Sequence, residues 1–168
     1  MTRLLGVDLG ERRIGLAVAD PAVGRAAPLA TIRRGRSVAE DVRTLAPILE
    51  AQQVTELVVG LPLDMTGGEG SQAVSTRAWA SAIAAALALP LRLRDERLSS
   101  HVAEQRLGPM RRGRSGGPPT PHQRAAYRAR VDREAAAVIL QDELDAAAGA
   151  RPAAGEGPVG GVLPGEPS

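Results

Sequence analysis

The chain has 168 residues, no cysteine and a formal net charge of +2. This length fits one domain with a substantial core, and the lack of cysteine excludes both a disulfide framework and a thiolate metal site. No apolar run is long enough to cross a membrane, and no signal-peptide pattern precedes the first strand-like run, so we expect a cytoplasmic protein without a membrane partner.

Three strands joined by short connections are predicted at the start of the chain. Residues 3–9 are almost continuously apolar, which is typical of a central strand. Gly10–Arg13 is a turn signal, and the apolar run over residues 14–19 predicts a second strand antiparallel to the first. With a third strand over residues 27–33, these elements form a meander.

Helices and strands alternate in the middle of the chain. Ser37 and Glu40 form a capping box, which begins an amphipathic helix that Pro47 should kink or shorten. The β-branched run at residues 56–60 predicts a buried strand, and the alanine-rich stretch over residues 71–89 predicts a long helix.

The last part of the chain is less regular. Residues 91–94 alternate as a strand, and Ser99 or Ser100 could cap a short helix that ends at Leu107. A mobile loop is expected over about residues 108–124, a last helix from Val131 to about Ala148, and a disordered Gly/Pro-rich tail over 149–168. Residues 1–148 would therefore form one α/β domain. Its mixed five-stranded sheet would combine an antiparallel three-stranded meander with two parallel strands, flanked by helices on both faces.

The basic residues are all arginine and are unevenly distributed. Between Arg106 and Arg133, eight arginines accompany the single acid Asp132, a local net charge of +7. Arginine binds phosphate oxygens in pairs through its planar fork. The segment is either a solvated basic loop or a phosphate-binding surface.

Three carboxylates occupy positions that the folded sheet could bring together. Asp8 lies in the first strand, Glu96 follows the fifth, and Asp132 opens the last helix. Taken singly, Asp8 could bond to the next turn, Glu96 could pair with Arg94 or Arg97, and Asp132 could favour the helix dipole. Taken together, they fit a pair of divalent cations that hydrolyses phosphodiesters.

Four motifs resemble those of the YqgF (RuvX) family. They are Asp8-Leu9-Gly10 with Arg13-Ile14-Gly15, Val59-Gly60-Leu61-Pro62-Leu63, Asp95-Glu96-Arg97-Leu98-Ser99, and Val131-Asp132 ahead of Ala135-Ala136. The resemblance extends from Arg3 to about Leu144. It implies an RNase H-like fold and a nuclease that processes the 5′ end of pre-16S ribosomal RNA, although some members are described as Holliday junction resolvases.

The resemblance also implies the site. The catalytic and metal-binding triad would be Asp8, Glu96 and Asp132, with two Mg²⁺ or Mn²⁺ ions when substrate is bound. RuvC-type sites carry a fourth ligand three positions after the last Asp, where this chain has Ala135. The arginines expected to bind nucleic acid are Arg13, Arg97, Arg111, Arg112, Arg114, Arg124, Arg128 and Arg130.

Few aromatic residues are available to stack on bases. The chain has no Phe, one Trp and one Tyr, so it offers no stacking platform for single strands. The expected partner is structured pre-rRNA or branched DNA, with ribosome assembly intermediates as a further possibility. The alternatives are a Holliday junction resolvase, which requires a two-fold dimer, and a non-catalytic RNA- or ribosome-binding module. The sequence leaves open whether the protein is a monomer or a homodimer.

Overall fold

The computed structural model describes residues 1–113 and 115–149. A five-stranded mixed sheet with the strand order β3-β2-β1-β4-β5 forms its centre. The elements are β1 (Leu4–Leu9), β2 (Arg13–Asp20), β3 (Arg25–Arg33), α1 (Val38–Ala51), β4 (Glu56–Leu61), α2 (Ser71–Leu87), β5 (Leu91–Asp95), α3 (Ser99–Leu107) and α4 (Pro121–Gly149). Strands β1, β2 and β3 form the antiparallel meander, while β4 and β5 run parallel to β1. The predicted RNase H-like sheet is confirmed.

Strand β1 separates two hydrophobic cores. Leu5, Val7 and Leu9 belong to a core that includes buried residues of α1 and α2. Leu4 instead packs with buried residues of α4. Because side chains alternate along a strand, Asp8 shares the α4 face with Leu4 and Gly6. The alternation therefore directs an acidic side chain toward the helix that carries Asp132.

Helix α4 begins at Pro121, whereas the sequence analysis placed its start at Val131. A capping box of Thr120 and Gln123 explains why the helix begins there. The Gln123 amide donates to Thr120 Oγ1 at 3.2 Å, and the Thr120 amide donates to Gln123 Oε1 at 2.8 Å. Proline is favoured at the first helical position because its missing N–H would have no intrahelical partner there. The predicted loop over 108–124 is therefore wrong at its end, where residues 121–124 are helical.

The segment before α1 is fixed by two acids of that helix. Ser37 caps α1 as predicted, accepting from the Glu40 amide at 3.2 Å. The Glu40 carboxylate accepts from the Arg36 amide at 2.8 Å, and the buried Asp41 carboxylate accepts from the Gly35 amide at 2.7 Å. Buried carboxylates are retained when they are well hydrogen-bonded. Helix α1 continues through Pro47 to Ala51, so that proline does not end it.

Residue Gly149 ends α4, and the remainder of the predicted tail lies outside the described residues. Within the described ranges, none of the helices has both the length and the apolar character that a membrane span requires.

Candidate active site

The structure brings Asp8 and Glu96 together at the carboxyl ends of the parallel strands. Glu96 directly follows β5, and its amide donates to the Leu61 carbonyl of β4 at 3.0 Å. A Cβ atom on Gly60 of β4 would lie 2.8 Å from Glu96 Oε2. The Glu96 carboxyl therefore lies over Gly60, beside β1, where it is in hydrogen-bonding range of Asp8.

A second glycine admits the helix that carries Asp132. Gly15 of β2 is the cross-strand partner of Asp8. A Cβ atom on Gly15 would lie only 1.9 Å from the Asp132 carbonyl oxygen. Because any side chain there would collide with α4, the glycine lets the helix lie directly on the sheet. Asp8 thus has a glycine on each neighbouring strand, and each glycine makes room for another acidic residue.

Ser99 orients Glu96 instead of capping α3. Its hydroxyl donates to Glu96 Oε1 at 2.6 Å. The N-cap residue is Leu98, and α3 has no side-chain cap, so the predicted serine cap is wrong. The alternative ion pairs for Glu96 are also absent among the described residues, since Arg94 pairs with Glu143 and Arg97 with Asp95. Glu96 remains free to act with Asp8.

The two carboxyls have perturbed protonation. Burial raises the pKa of Asp8 well above its ordinary value, and the negative charges of Glu96 and Asp132 raise it further. Burial also raises the pKa of Glu96, although the hydrogen bond from Ser99 partly opposes that shift. Two carboxylates so close together cannot both ionise without cost unless a proton or a cation lies between them.

This coupling predicts that stability without divalent metal declines with rising pH. The folded-state pKa values of Asp8 and Glu96 lie above the unfolded values, so their contribution is complete below the unfolded values near 3.8 and 4.5. It is lost as the pH rises through the raised folded pKa values. Thermal melts in EDTA from pH 4 to pH 8 should show the decline, and Mg²⁺ should reduce it. A matched Asp8→Asn variant should show a smaller decline, and equal slopes for the two proteins would contradict the coupling.

The third carboxylate is close by but is bound to an arginine. Asp132 lies near enough to raise the pKa of Asp8, yet its Oδ2 accepts from Arg13 Nε at 2.5 Å. No group of three or more His, Cys, Asp or Glu side chains in residues 1–113 and 115–149 has an arrangement that could hold a metal ion. The structure therefore presents two assembled carboxyls and a third that is held by an internal cation.

The arginines expected to bind nucleic acid occupy different positions. Arg13 and Arg128 line a hollow with Asp132, close to the acidic site. Arg97 is engaged by Asp95 through two nitrogen atoms. Arg124, one turn before Arg128 on α4, donates to the Pro119 carbonyl at 2.7 Å. The α4 arginines thus belong to an ordered helix and not to a mobile loop.

The remaining predicted arginines lie elsewhere in the basic segment between Arg106 and Arg133. Arg111 and Arg112 are exposed in the connection between α3 and α4, and Arg114 lies outside the described residues. Arg130 lines a separate hollow with Tyr127. Tyr127 packs against the α3–α4 contact and donates to the Gly108 carbonyl at 2.9 Å. This tyrosine supports the fold of the segment.

The mixed sheet, with two buried carboxyls at the ends of its parallel strands, is the arrangement that the four sequence motifs imply. A family model described as "RuvX: Holliday junction resolvase" matches residues 2–146. A protein of Anaeromyxobacter sp. (strain K) named "Putative pre-16S rRNA nuclease" is 48% identical over 143 residues, covering 85% of this chain and 96% of that protein. One of the same name from Mycobacterium leprae (strain TN) is 41% identical over 165 residues, covering 98% of this chain and 84% of that protein. The chain belongs to the RuvX (YqgF) family, and it is a nuclease.

A solved structure, T. thermophilus RuvC in complex with Holliday junction substrate, is similar with a TM-score of 0.49 and 17% identity. The alignment covers 89% of this chain and 97% of that one. Nucleases of this class depend in general on divalent metal ions and bind nucleic acid. Ala135, three residues after Asp132, is fully buried against α3.

Proposed function

We propose that the protein is a metal-dependent endonuclease that processes the 5′ end of pre-16S ribosomal RNA in the cytoplasm during ribosome biogenesis. The observation that carries this proposal is the buried pair of Asp8 and Glu96. Burial raises the pKa of both carboxyls, and the charge of Glu96 raises the pKa of Asp8 further. Burying such a pair costs folding free energy, and carboxyls with strongly perturbed pKa values cluster at functional sites. The names of the curated relatives supply the substrate.

The residues present fit a hard divalent cation in part. Asp8 and Glu96 offer oxygen ligands in mutual contact range, and a cation between them would relieve their repulsion. Asp132 would be the third ligand after its release from Arg13. Bound Mg²⁺ or Mn²⁺, with two ions once substrate is present, would supply an activated water and stabilise the leaving oxygen.

The residues around the acids act by holding them in place. Ser99 fixes the rotamer of Glu96 through its 2.6 Å hydrogen bond. Arg13 neutralises Asp132, and a cation held by the acids or a substrate phosphate would compete with that ion pair. Arginine suits this exchange because its guanidinium binds carboxylate and phosphate oxygens alike.

The second candidate function is cleavage of four-way DNA junctions. The matching family model, described as a Holliday junction resolvase, favours it. A resolvase cuts two strands symmetrically and therefore acts as a two-fold dimer. A monomeric protein in solution would count against the resolvase, whereas a dimer is compatible with both functions.

Cleavage of two labelled substrates side by side tests the proposal. We expect Mg²⁺- or Mn²⁺-dependent cutting of a 16S precursor 5′ leader, with little cutting of a four-way DNA junction. Preference for the junction by a dimeric protein would establish the resolvase instead. Binding of the leader without any cutting would indicate a non-catalytic RNA-binding module or a missing ribosomal partner, and it would reject the nuclease proposal as stated.

A further inference from the structure

A second cluster of arginines lies outside the basic segment that the sequence analysis identified. Arg12 lies in the turn before β2 and Arg13 is the first residue of that strand. The other arginines come from the end of β3 and the connection to α1. Together they line an open cavity of about 660 Å³, the arginine groove, whose basic members are Arg12, Arg13, Arg33, Arg34 and Arg36. We propose that this groove binds the phosphate backbone of the nucleic-acid substrate, beside the acidic site. The inference rests on the proposed nuclease function.

The groove has a surplus of positive charge that the fold leaves uncompensated. Within residues 1–113 and 115–149, the ion pairs include only one of its five arginines, Arg13 with Asp132. Glu11, which is exposed, is the only acid among the described residues that line the cavity. Within that part of the chain, four of the five guanidinium groups have no acidic partner, which is the electrostatic footprint of a polyanion site.

Strand pairing places two of these positive charges opposite each other. Arg13 and Arg33 are direct cross-strand partners in the antiparallel β2–β3 pair. Like charges directly opposite each other destabilise a sheet. Arg13 is partly neutralised by Asp132, whereas Arg33 is exposed at the end of an edge strand. A bound phosphate would reduce the repulsion that remains between Arg13 and Arg33.

The backbone of the groove is rigid. The Arg34 amide donates to the Arg12 carbonyl, and the Arg34 guanidinium donates to the Gly10 carbonyl, each at 2.9 Å. The next two amides are held by acids of α1, with Gly35 bound to the buried Asp41 and Arg36 to Glu40. Asp41 is itself fixed by the Trp79 indole at 2.9 Å. Because these hydrogen bonds already fix the backbone, only the arginine side chains have to be ordered on binding.

The groove is continuous with the proposed catalytic centre. Arg12 and Arg13 line both the arginine groove and the adjoining hollow that contains Arg128 and Asp132. A strand whose scissile phosphate reaches Asp132 can therefore extend over β2 and β3 in one direction. Arg128 of α4 lines that adjoining hollow and can contact the same nucleic acid from the helix. Positive groups on both β2–β3 and α4 suit a structured or branched substrate better than an isolated short strand.

A pair of matched double variants tests the groove. Arg33→Ala/Arg36→Ala removes two exposed groove arginines and leaves the structural bonds of Arg34 and Arg13 intact. Arg25→Ala/Arg43→Ala removes the same charge from two exposed arginines outside the groove lining, Arg25 at the start of the strand that Arg33 ends and Arg43 on α1. Affinity is measured in EDTA as a function of salt for a 16S precursor leader and for a four-way DNA junction, so that no cleavage is required.

We expect the groove variant to weaken binding roughly tenfold near 100 mM salt, and to lower the slope of log K against log salt by about 1.5. The control variant should retain the wild-type slope. A lower slope in either substrate series supports the groove, and the more affected series identifies the nucleic acid that it binds. An unchanged slope in both, or an equal loss in the control, overturns it. If the wild-type protein cuts a substrate and the groove variant binds it normally, the groove proposal is rejected and the proposed nuclease function stands. If the wild-type protein binds neither substrate, the proposed function is rejected as well.

Discussion

Replacing Asp8 with Asn is expected to reduce cleavage by about 100- to 1000-fold while the protein stays folded. The amide keeps the size of the carboxylate but removes the charge on which cation binding depends, and a single group that stabilises transition-state charge is worth roughly 10²–10³ in rate. The swap also removes the repulsion between Asp8 and Glu96. Without metal, the variant should therefore melt at a temperature equal to or above that of the wild type at neutral pH.

Asp95→Asn is the matched control for that experiment. Asp95 is the neighbour of Glu96, but it is exposed and paired with Arg97 on the other side of the strand. Its amide variant should retain nearly full cleavage. Single-turnover cleavage of the preferred substrate and circular dichroism melts measure both properties. Substantial activity in Asp8→Asn would remove Asp8 from the catalytic site.

Gly15→Ala is expected to have the largest effect on stability. The new Cβ atom would lie 1.9 Å from the Asp132 carbonyl, and the obstacle is helix backbone, which cannot rotate away. Overpacking of this kind costs about 3 kcal/mol or more, which for a chain of this size lowers Tm by roughly 6–12 °C. Because α4 must lift from β2, Asp132 should also move away from Asp8, so cleavage should fall together with stability.

Gly117→Ala provides the comparison for this glycine. No atom lies within 4 Å of the position that its Cβ would take, so its stability should stay within about 0.5 kcal/mol of the wild type. Chemical denaturation of both variants measures the difference. Equal stability of Gly15→Ala and the wild type would mean that α4 does not lie on β2 as described.

The sheet could be predicted from the sequence because its signals are local. Apolar runs and turn residues identified all five strands, and the short connections fixed which strands pair in antiparallel fashion. The proximity of Asp8 and Glu96 also followed, because the carboxyl ends of parallel strands meet at one edge of a sheet. The two raised pKa values did not follow, since burial depends on the packed structure.

Two features of the site required the structure. The ion pair between Arg13 and Asp132 joins residues 119 positions apart, and no local pattern indicates it. The hydrophobic pattern of the sequence does not indicate the start of α4, because its first ten residues contain no Leu, Ile or Val and follow a Gly/Pro-rich stretch, so they lack an apolar helical period. A signal was nevertheless present, since Thr120 and Gln123 have capping-box spacing beside Pro121.

Helix α4 is long enough to carry two of the proposed nucleic-acid-binding arginines and one of the proposed metal-binding carboxylates. Arg124, Arg128 and Asp132 follow one another at intervals of four residues on one helix. Each interval spans about 6 Å along the axis and returns to nearly the same face. If Arg124 and Arg128 bind phosphates as proposed, the distance from those phosphates to Asp132 is set by the number of helical residues between them. Inserting or deleting one turn between Arg128 and Asp132 would then change where the nucleic acid is cut, and not only how fast.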